Sequence, residues 1–337
     1  MNFPHSQDIQ ESTTVTIAIL NWNNCDLLQK SVESVKAQTY PHIRILFLDN
    51  ASSDDSVCYI RDHYPEIPIK VFPKNIGFSK AHNWGIRNSQ DHCYMPLNPD
   101  VSLDPDFVFN MVKVLDENKK IGAVAGKLYF LQGQSEYKSY IIYSTGHLLT
   151  KSRAPVNRGY KKADNGQYNI QEEIFAANGA APLYRRKMLE DITLNGEYFC
   201  DDFFIYGDDH DLGWRAQLRG WKCVYCPRAI GYHIGFGSGG MQSFFVKVQF
   251  SRNRFLTLVR NDSLRDLIFD LPYFFSYELI LNAYWLIRTP KRVVAHWIGI
   301  VQAIISIPKT LKARKQIMAS RKVTHQYIRS FFVTQLF

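Results

Sequence analysis

The sequence predicts an α/β fold: a mostly parallel central sheet with helices on both faces, followed by a C-terminal α-helical appendage. Short apolar runs rich in β-branched residues alternate with amphipathic stretches of about ten residues, which is the pattern of βαβ units. Those runs end in Asn and Asp, at the strand ends where such sheets bind ligands. Beyond residue 240 the alternation gives way to long segments rich in Leu, Ile, Phe, Tyr and Trp.

Each element follows in order. Residues 15–20 (VTIAIL) make a first strand and 26–38 a helix. Residues 43–48 make a second strand, ending in the polar run Asp49-Asn50-Ala-Ser-Ser-Asp-Asp55. Its side chains can accept the free N–H groups of the next helix, which extends to residue 64. Residues 69–72 are a third strand, 78–88 a helix, 93–97 a fourth strand, 105–117 a helix and 122–130 a fifth strand. From 132 to 164 periodicity weakens, and the stretch reads as a hairpin or flexible loop over the site. Small residues in 175–182 (FAANGAAP) allow close approach of a ligand to backbone. A helix over 208–219 and a strand-like run over 223–232 complete the region. The expected organisation is a tail over 1–14, a catalytic domain over 15–240 and a helical region over 241–337. Within the domain, a first half spans about 15–130 and a second about 170–240.

Composition narrows the function. With 46% apolar and 21% charged residues, the chain is an ordered globular protein of 337 residues. The net charge of +9 is uneven: after Glu278 there is no Asp or Glu, but there are ten Lys and Arg. The basicity therefore belongs to one segment and one partner. Six cysteines show no disulfide or zinc spacing, and residues 1–14 lack the apolar core of a secretory signal. A reducing, cytoplasmic setting fits both. Nucleic acid is not an expected partner, because no recognition-helix or base-stacking motif accompanies the basic tail.

The densest chemistry lies between Asp201 and His233. Asp201, Asp202, Asp208, Asp209 and Asp211 sit among Phe203, Phe204, Tyr206 and Trp214. Carboxylates held against apolar surface have shifted pKa values and serve as bases or ligands of hard metals, which points to an enzyme. Helical geometry sets Asp208 and Asp211 on one side and turns Asp209 by about 100°, so at least one of them is capping or structural. Asp100, in Asn98-Pro99-Asp100, stands at the ligand edge of the sheet and could hold a divalent metal on a diphosphate, although Asn-Pro also opens turns. Asp49-Asn50 could bind a base or ribose, or cap a helix. Gly77 invites a turn whose following helix faces phosphate, and His233 is either a ligand or a core histidine.

In order, these motifs resemble glycosyltransferase family 2, in its rhamnosyltransferase-like branch. The resemblance spans about residues 15–240 and rests on Asn21-Trp-Asn23, Leu48-Asp49-Asn50-Ala-Ser-Ser-Asp54, Asn75-Ile-Gly77-Phe78, Asn83-Trp-Gly85, Leu97-Asn98-Pro99-Asp100, the 203–212 segment and Gly220-Trp221. It implies a GT-A (Rossmann-like) fold, a dTDP- or UDP-sugar donor, Mg2+ or Mn2+, and inversion at the anomeric carbon. Asp209 would then be the base, with Asp208 and Asp211 as possible support. Asn21, Asp49, Asn50, Asn75, Gly77, Asn83 and Asn98 would hold the donor nucleotide. Asp100 and His233 would hold the metal. Two positions depart from the wider family, which has Asp-x-Asp where Asn98-Pro99-Asp100 stands and Glu where Asp208 stands.

The apolar segments at 267–287 and 293–307 are expected to be too broken or too short to span a bilayer. They are expected to lie in its interface, with the basic cluster Lys309, Lys312, Arg314, Lys315, Arg321 and Lys322 meeting anionic lipid. That places the chain peripherally on the inner face of the cell membrane, beside a saccharide or lipid-linked acceptor. Packing on the catalytic domain or a homodimer interface are the other uses open to these helices.

Overall fold

The structure, a computed structural model, describes residues 12–131, 138–235 and 243–334. All but the last three residues of the 1–14 tail therefore lie outside the described residues. The first half alternates without exception: β1 (Val15–Asn21), α1 (Cys25–Lys36), β2 (Ile43–Asp49), α2 (Ser56–His63), β3 (Ile69–Val71), α3 (Gly77–Arg87) and β4 (Cys93–Leu97). β3, β2, β1 and β4 lie side by side and parallel, so their carboxyl ends share one rim. The period of two decides which face each side chain covers. Val15, Ile17 and Ile19 pack with Leu28 and Val32 of α1, while Ala18 faces Ala81 and Ile86 of α3. Burial on both faces explains why these strands read as continuous apolar runs.

From residue 101 to 233 the arrangement is mixed. It comprises β5 (Val101–Leu103), α4 (Phe107–Glu117), β6 (Ile121–Leu131), β7 (Lys138–Ser144), β8 (His147–Thr150), β9 (Pro155–Asn157), β10 (Glu172–Ile174), β11 (Leu183–Arg185), α5 (Arg186–Asp191), α6 (Asp208–Leu218) and β12 (Lys222–His233). The main sheet runs β10-β12-β6-β11-β4-β1-β2-β3, with β5 on β12 and β7 on β6. The short β11 is antiparallel to both its neighbours. β12 runs parallel to β6, with a register shift between Cys226 and Ile230. Past that bulge its end pairs with β5, which sets His233 opposite Val101.

The C-terminal region holds α7 (Phe244–Asn261), α8 (Leu264–Arg288), α9 (Pro290–Ala319), α10 (His325–Arg329) and β13 (Phe332–Val333). β13 pairs with β8, and β8 with β9 antiparallel, so of the two readings of the 132–164 stretch the described residues show the hairpin; 132–137 lie outside the described residues. α9 runs for 30 residues with Pro308 inside it, so the apolar segment expected to be too short at 293–307 belongs to a longer helix. It is long and apolar enough to cross a membrane. Ala295, Gly299 and Ala303 form its buried stripe. A Cβ on Gly299 would stand 2.6 Å from the Val248 carbonyl oxygen, so glycine alone lets α9 rest on α7 at this distance.

Lys309, Lys312, Lys315 and Lys322 of the basic cluster are exposed, and several of its cations also bond within the chain. Lys309 pairs with Asp202 at 2.7 Å, Arg314 donates to the Val259 and Asp262 carbonyls, and Lys322 stands 3.8 Å from Asp191. Arg321 donates to the Val323 carbonyl at 2.6 Å, so four of the six clustered cations make contacts within the chain. Buried Arg153 adds a tie, reaching Asp262 at 2.9 Å and Asp270 at 2.6 Å.

Candidate active site

A cavity of about 1050 Å³ opens at the carboxyl ends of the strands. Asn21 from β1, Asn50 after β2, Asn98 and Asp100 after β4, His233 from β12, and Asp208 and Asp209 from α6 all line it. Tyr143 on β7, His147 on β8, and Phe245, Val246, Arg254 and Thr257 on α7 line it as well.

On the β1–β2 rim, each polar residue holds a turn. Asn50 Oδ1 accepts the Ile76 N–H at 2.8 Å, and Asn75 Oδ1 accepts that of Gly77 at 3.0 Å. Gly77 has φ +80°, and a Cβ there would lie 2.4 Å from the Phe204 carbonyl oxygen. That carbonyl accepts the Phe78 N–H at 2.8 Å, tying the start of α3 to the loop before α6. Asp54 joins two helix starts: its carboxylate takes the N–H of Cys25 at 3.0 Å and of Ser56 at 3.1 Å.

At the cavity floor His233 Nε2 lies 3.1 Å from Asp100 Oδ1, and both residues are buried. The Tyr143 ring packs edge-on against His233, with centroids 4.2 Å apart. Burial, then the Asp100 charge, pushes the Tyr143 hydroxyl well above its ordinary range. One carboxylate and one imidazole fit a divalent cation whose other ligands are phosphate and water oxygens. Among the described residues no three His, Cys, Asp or Glu gather to hold a metal alone.

The carboxylate cluster is launched by a strained turn. Tyr206 (φ +65°) and Gly207 (φ +86°) are both left-handed. Asn253 of α7 holds the turn by donating to the carbonyls of Ile205 at 3.0 Å and Tyr206 at 2.8 Å. Asp208 and Asp209 then occupy the first turn of α6, where free N–H groups and the helix dipole favour negative charge. Their environments differ. Burial and the neighbouring Asp209 charge push Asp208 well above the usual carboxylate range. Burial would raise Asp209 too, but the His147 ring and the Gly179 N–H bring it below the usual carboxylate range. Asp209 Oδ2 lies 2.8 Å from His147 Nε2 and accepts the Gly179 N–H at 2.8 Å; Oδ1 accepts the His210 N–H at 2.8 Å. Burial drives His210 down to about 3, so it is neutral at pH 7.

Three expected site residues stand elsewhere. Asp211 is buried between Arg215 Nε at 2.9 Å and Arg260 Nε at 2.8 Å, with Asn261 donating at 2.7 Å. It locks α6 to α7. Asp49 is buried and outside the cavity wall; its carboxylate accepts the Ser52 N–H at 2.9 Å and faces Asn21 Nδ2 at 3.4 Å. Asn83 bridges α3 to the Phe199 carbonyl and Asp201, each at 2.8 Å. The structure adds Tyr143, His147 and the face of α7. The only sequence sign of His147 was a lone histidine in a weakly periodic stretch.

The family model described as Glycosyl transferase family 2 matches residues 16–193. Poly-beta-1,6-N-acetyl-D-glucosamine synthase of Staphylococcus epidermidis is 24% identical over 223 residues, covering 66% of this chain and 50% of that protein. The O-antigen biosynthesis protein RfbC of Myxococcus xanthus is 23% identical over 224 residues, covering 64% of this chain and 17% of its own length. The chain thus spans half or less of these curated relatives. Among solved structures, GalNAc-T7 with UDP, GalNAc and Mn2+ superposes with a TM-score of 0.60 at 13% identity, over 80% of this chain and 51% of that one. Mannosyltransferase PcManGT from Pyrobaculum calidifontis, in complex with GDP-Man and Mn2+, gives 0.54 at 15% identity, over 98% and 86%. These likenesses show the GT-A fold.

Proposed function

The chain belongs to glycosyl transferase family 2, and on that premise we propose that it is an inverting, metal-dependent glycosyltransferase of cell-surface polysaccharide synthesis. It moves a sugar from a nucleotide diphosphate to a saccharide or lipid-linked saccharide. The observation that carries this reading is that Asn50, Asp100 and Asp209, far apart in sequence, line one cavity. Relatives named for polysaccharide and O-antigen synthesis support the pathway class, and neighbours holding Mn2+ support a divalent ion.

In this reading Asn21, Asn50 and the Asn75–Gly77 turn hold the nucleoside, while Asp49 keeps their turn in shape. Asp100 and His233 hold Mg2+ or Mn2+, which when bound neutralises charge on the departing diphosphate. Asp209, across the cavity, removes the proton of the attacking acceptor hydroxyl. Asp208, kept neutral by burial, adds no second negative charge beside it. Rhamnose from dTDP-rhamnose is the first-choice donor, on the branch resemblance; UDP-hexoses are the alternative.

The outer face of α8 and α9 supports peripheral attachment to the inner face of the cell membrane. Phe269, Phe275, Leu279, Leu286, Trp297, Val301 and Ile305 are exposed along it. Exposed Arg288, Lys291, Lys312 and Lys315 lie on the same two helices. Each cation near anionic lipid adds about 1 kcal/mol before screening. Flotation of the full chain with vesicles containing phosphatidylglycerol, lost on Trp297→Lys with Ile305→Lys, is the expected result. Recovery as a soluble dimer at low salt without detergent would replace attachment by a protein interface.

The activity itself is tested by calorimetry with dTDP-rhamnose and UDP-hexoses in Mn2+ or Mg2+, followed by turnover on lipid-linked acceptors. Asp209→Asn should keep donor affinity and lower kcat by about 10²–10⁴-fold. Wild-type turnover in that variant would overturn the assignment.

A further inference from the structure

We infer that His147 is a positioning residue of this transfer: by donating its Nε2–H to Asp209 Oδ2, it leaves Oδ1 as the oxygen that meets the acceptor hydroxyl. The inference rests on the proposed role of Asp209 and goes beyond it.

A carboxylate only accepts, so the proton of the 2.8 Å contact sits on His147 Nε2. Nδ1 is buried with no hydrogen-bond partner, so the geometry favours the tautomer that donates from Nε2 toward Asp209. The ring is in place before any substrate arrives. Its backbone N–H is held by the Ala176 carbonyl at 2.8 Å, and its face meets His210 edge-on with centroids 5.5 Å apart.

Each carboxylate oxygen has about two lone-pair directions. Those of Oδ2 are taken by the Gly179 N–H and by His147, while Oδ1 has one donor, the His210 N–H. One acceptor direction is left, on Oδ1. During transfer the acceptor O–H bond breaks and its proton passes to Oδ1. The acceptor oxygen bonds to the anomeric carbon, and the carbon–oxygen bond to the diphosphate breaks, its electron pair leaving with the nucleotide. His147 keeps its proton throughout. Around Asp209 stand Asp208 and His210 of α6, His147 of β8, Tyr143 of β7, Tyr184 of β11, and Tyr206. Of these, the hydrogen bond from His147 helps keep Asp209 ionised, against the effect of burial.

The test compares His147→Leu, His147→Gln and Asp209→Asn with wild type, using dTDP-rhamnose and a lipid-linked acceptor, alongside two-bond nitrogen spectra of 15N-histidine protein. His147→Leu should lose on the order of 10²-fold in kcat with donor KM unchanged, and its acid limb of kcat/KM should move to higher pH. His147→Gln, which keeps a donor, should recover part of the loss. In wild type, the His147 spectrum should show a protonated Nε2 and a bare Nδ1 at pH 7, a signature that stands even if the leucine variant fails to fold. A proton on Nδ1, or unchanged kcat and acid limb in His147→Leu while Asp209→Asn is inactive, overturns this inference alone. Full turnover by Asp209→Asn overturns it together with the reading beneath it.

Discussion

Asp211→Asn separates a structural carboxylate from a catalytic one. Asp211 is 0% exposed and faces two guanidinium groups, Arg215 and Arg260, themselves nearly buried. Burial alone would raise its pKa, but those two charges bring it from 3.8 to about 2. At about 1.4 kcal/mol per unit, the shift is worth about 2 kcal/mol of folding stability. Breaking a buried pair by removing one partner typically costs about 3–5 kcal/mol. Arg215 keeps the Ile192 and Tyr198 carbonyls, which places the expected loss near the lower end, at about 3 kcal/mol. An unfolding entropy of about 2 cal/mol/K per residue gives about 0.7 kcal/mol/K for this chain, so Tm should fall by about 4 °C. The sign with pH follows from the depressed pKa. The stabilisation is fully present above the ordinary carboxylate value and is lost as pH falls through about 2, so the gap between wild type and variant should narrow as pH drops below 4. Thermal unfolding by circular dichroism at pH 7 and pH 3, with kcat measured well below Tm, checks both parts. An unchanged Tm with kcat reduced on the order of 10²-fold or more would refute the structural role and return Asp211 to the catalytic group.

Gly77→Ala should destabilise the chain by about 1–3 kcal/mol, since its φ is +80° and the new Cβ meets the Phe204 carbonyl; calorimetric donor titration should also show weaker binding as the turn shifts. His233→Ala should weaken Mn2+ binding in the presence of nucleoside diphosphate, read by calorimetry, and should also lower stability by about 1–3 kcal/mol because it leaves the buried Asp100 carboxylate without the ring beside it. Gly299→Leu should separate α9 from α7 and cost about 2 kcal/mol or more by overpacking; a urea midpoint equal to wild type would mean the helices do not cross so closely in solution.

What the sequence determined by itself is everything that repeats locally. The short β-branched apolar runs, such as 15–20, and the polar residues closing each strand were enough to set the parallel half of the sheet and its ligand rim. Asn21, Asn50, Asn98 and Asp100 reach that rim because side-chain direction follows from strand register. The launch of α6 at Asp208 was equally visible, and helical geometry already required that one of Asp208, Asp209 and Asp211 be structural. Which one was structural depended on Arg260, about fifty residues away, and no local pattern records such a pairing. The same reason hid His147: it sits where periodicity fades, and its strand is held on one side by β9 and on the other by β13 from the far end of the chain. Asp49 shows the converse, since a carboxylate at a strand end looks free to bind a ligand until the Ser52 N–H closes on it. Local order is set by backbone geometry and patterning, whereas the partner of a buried charge is set by long-range packing, and only the folded chain decides it.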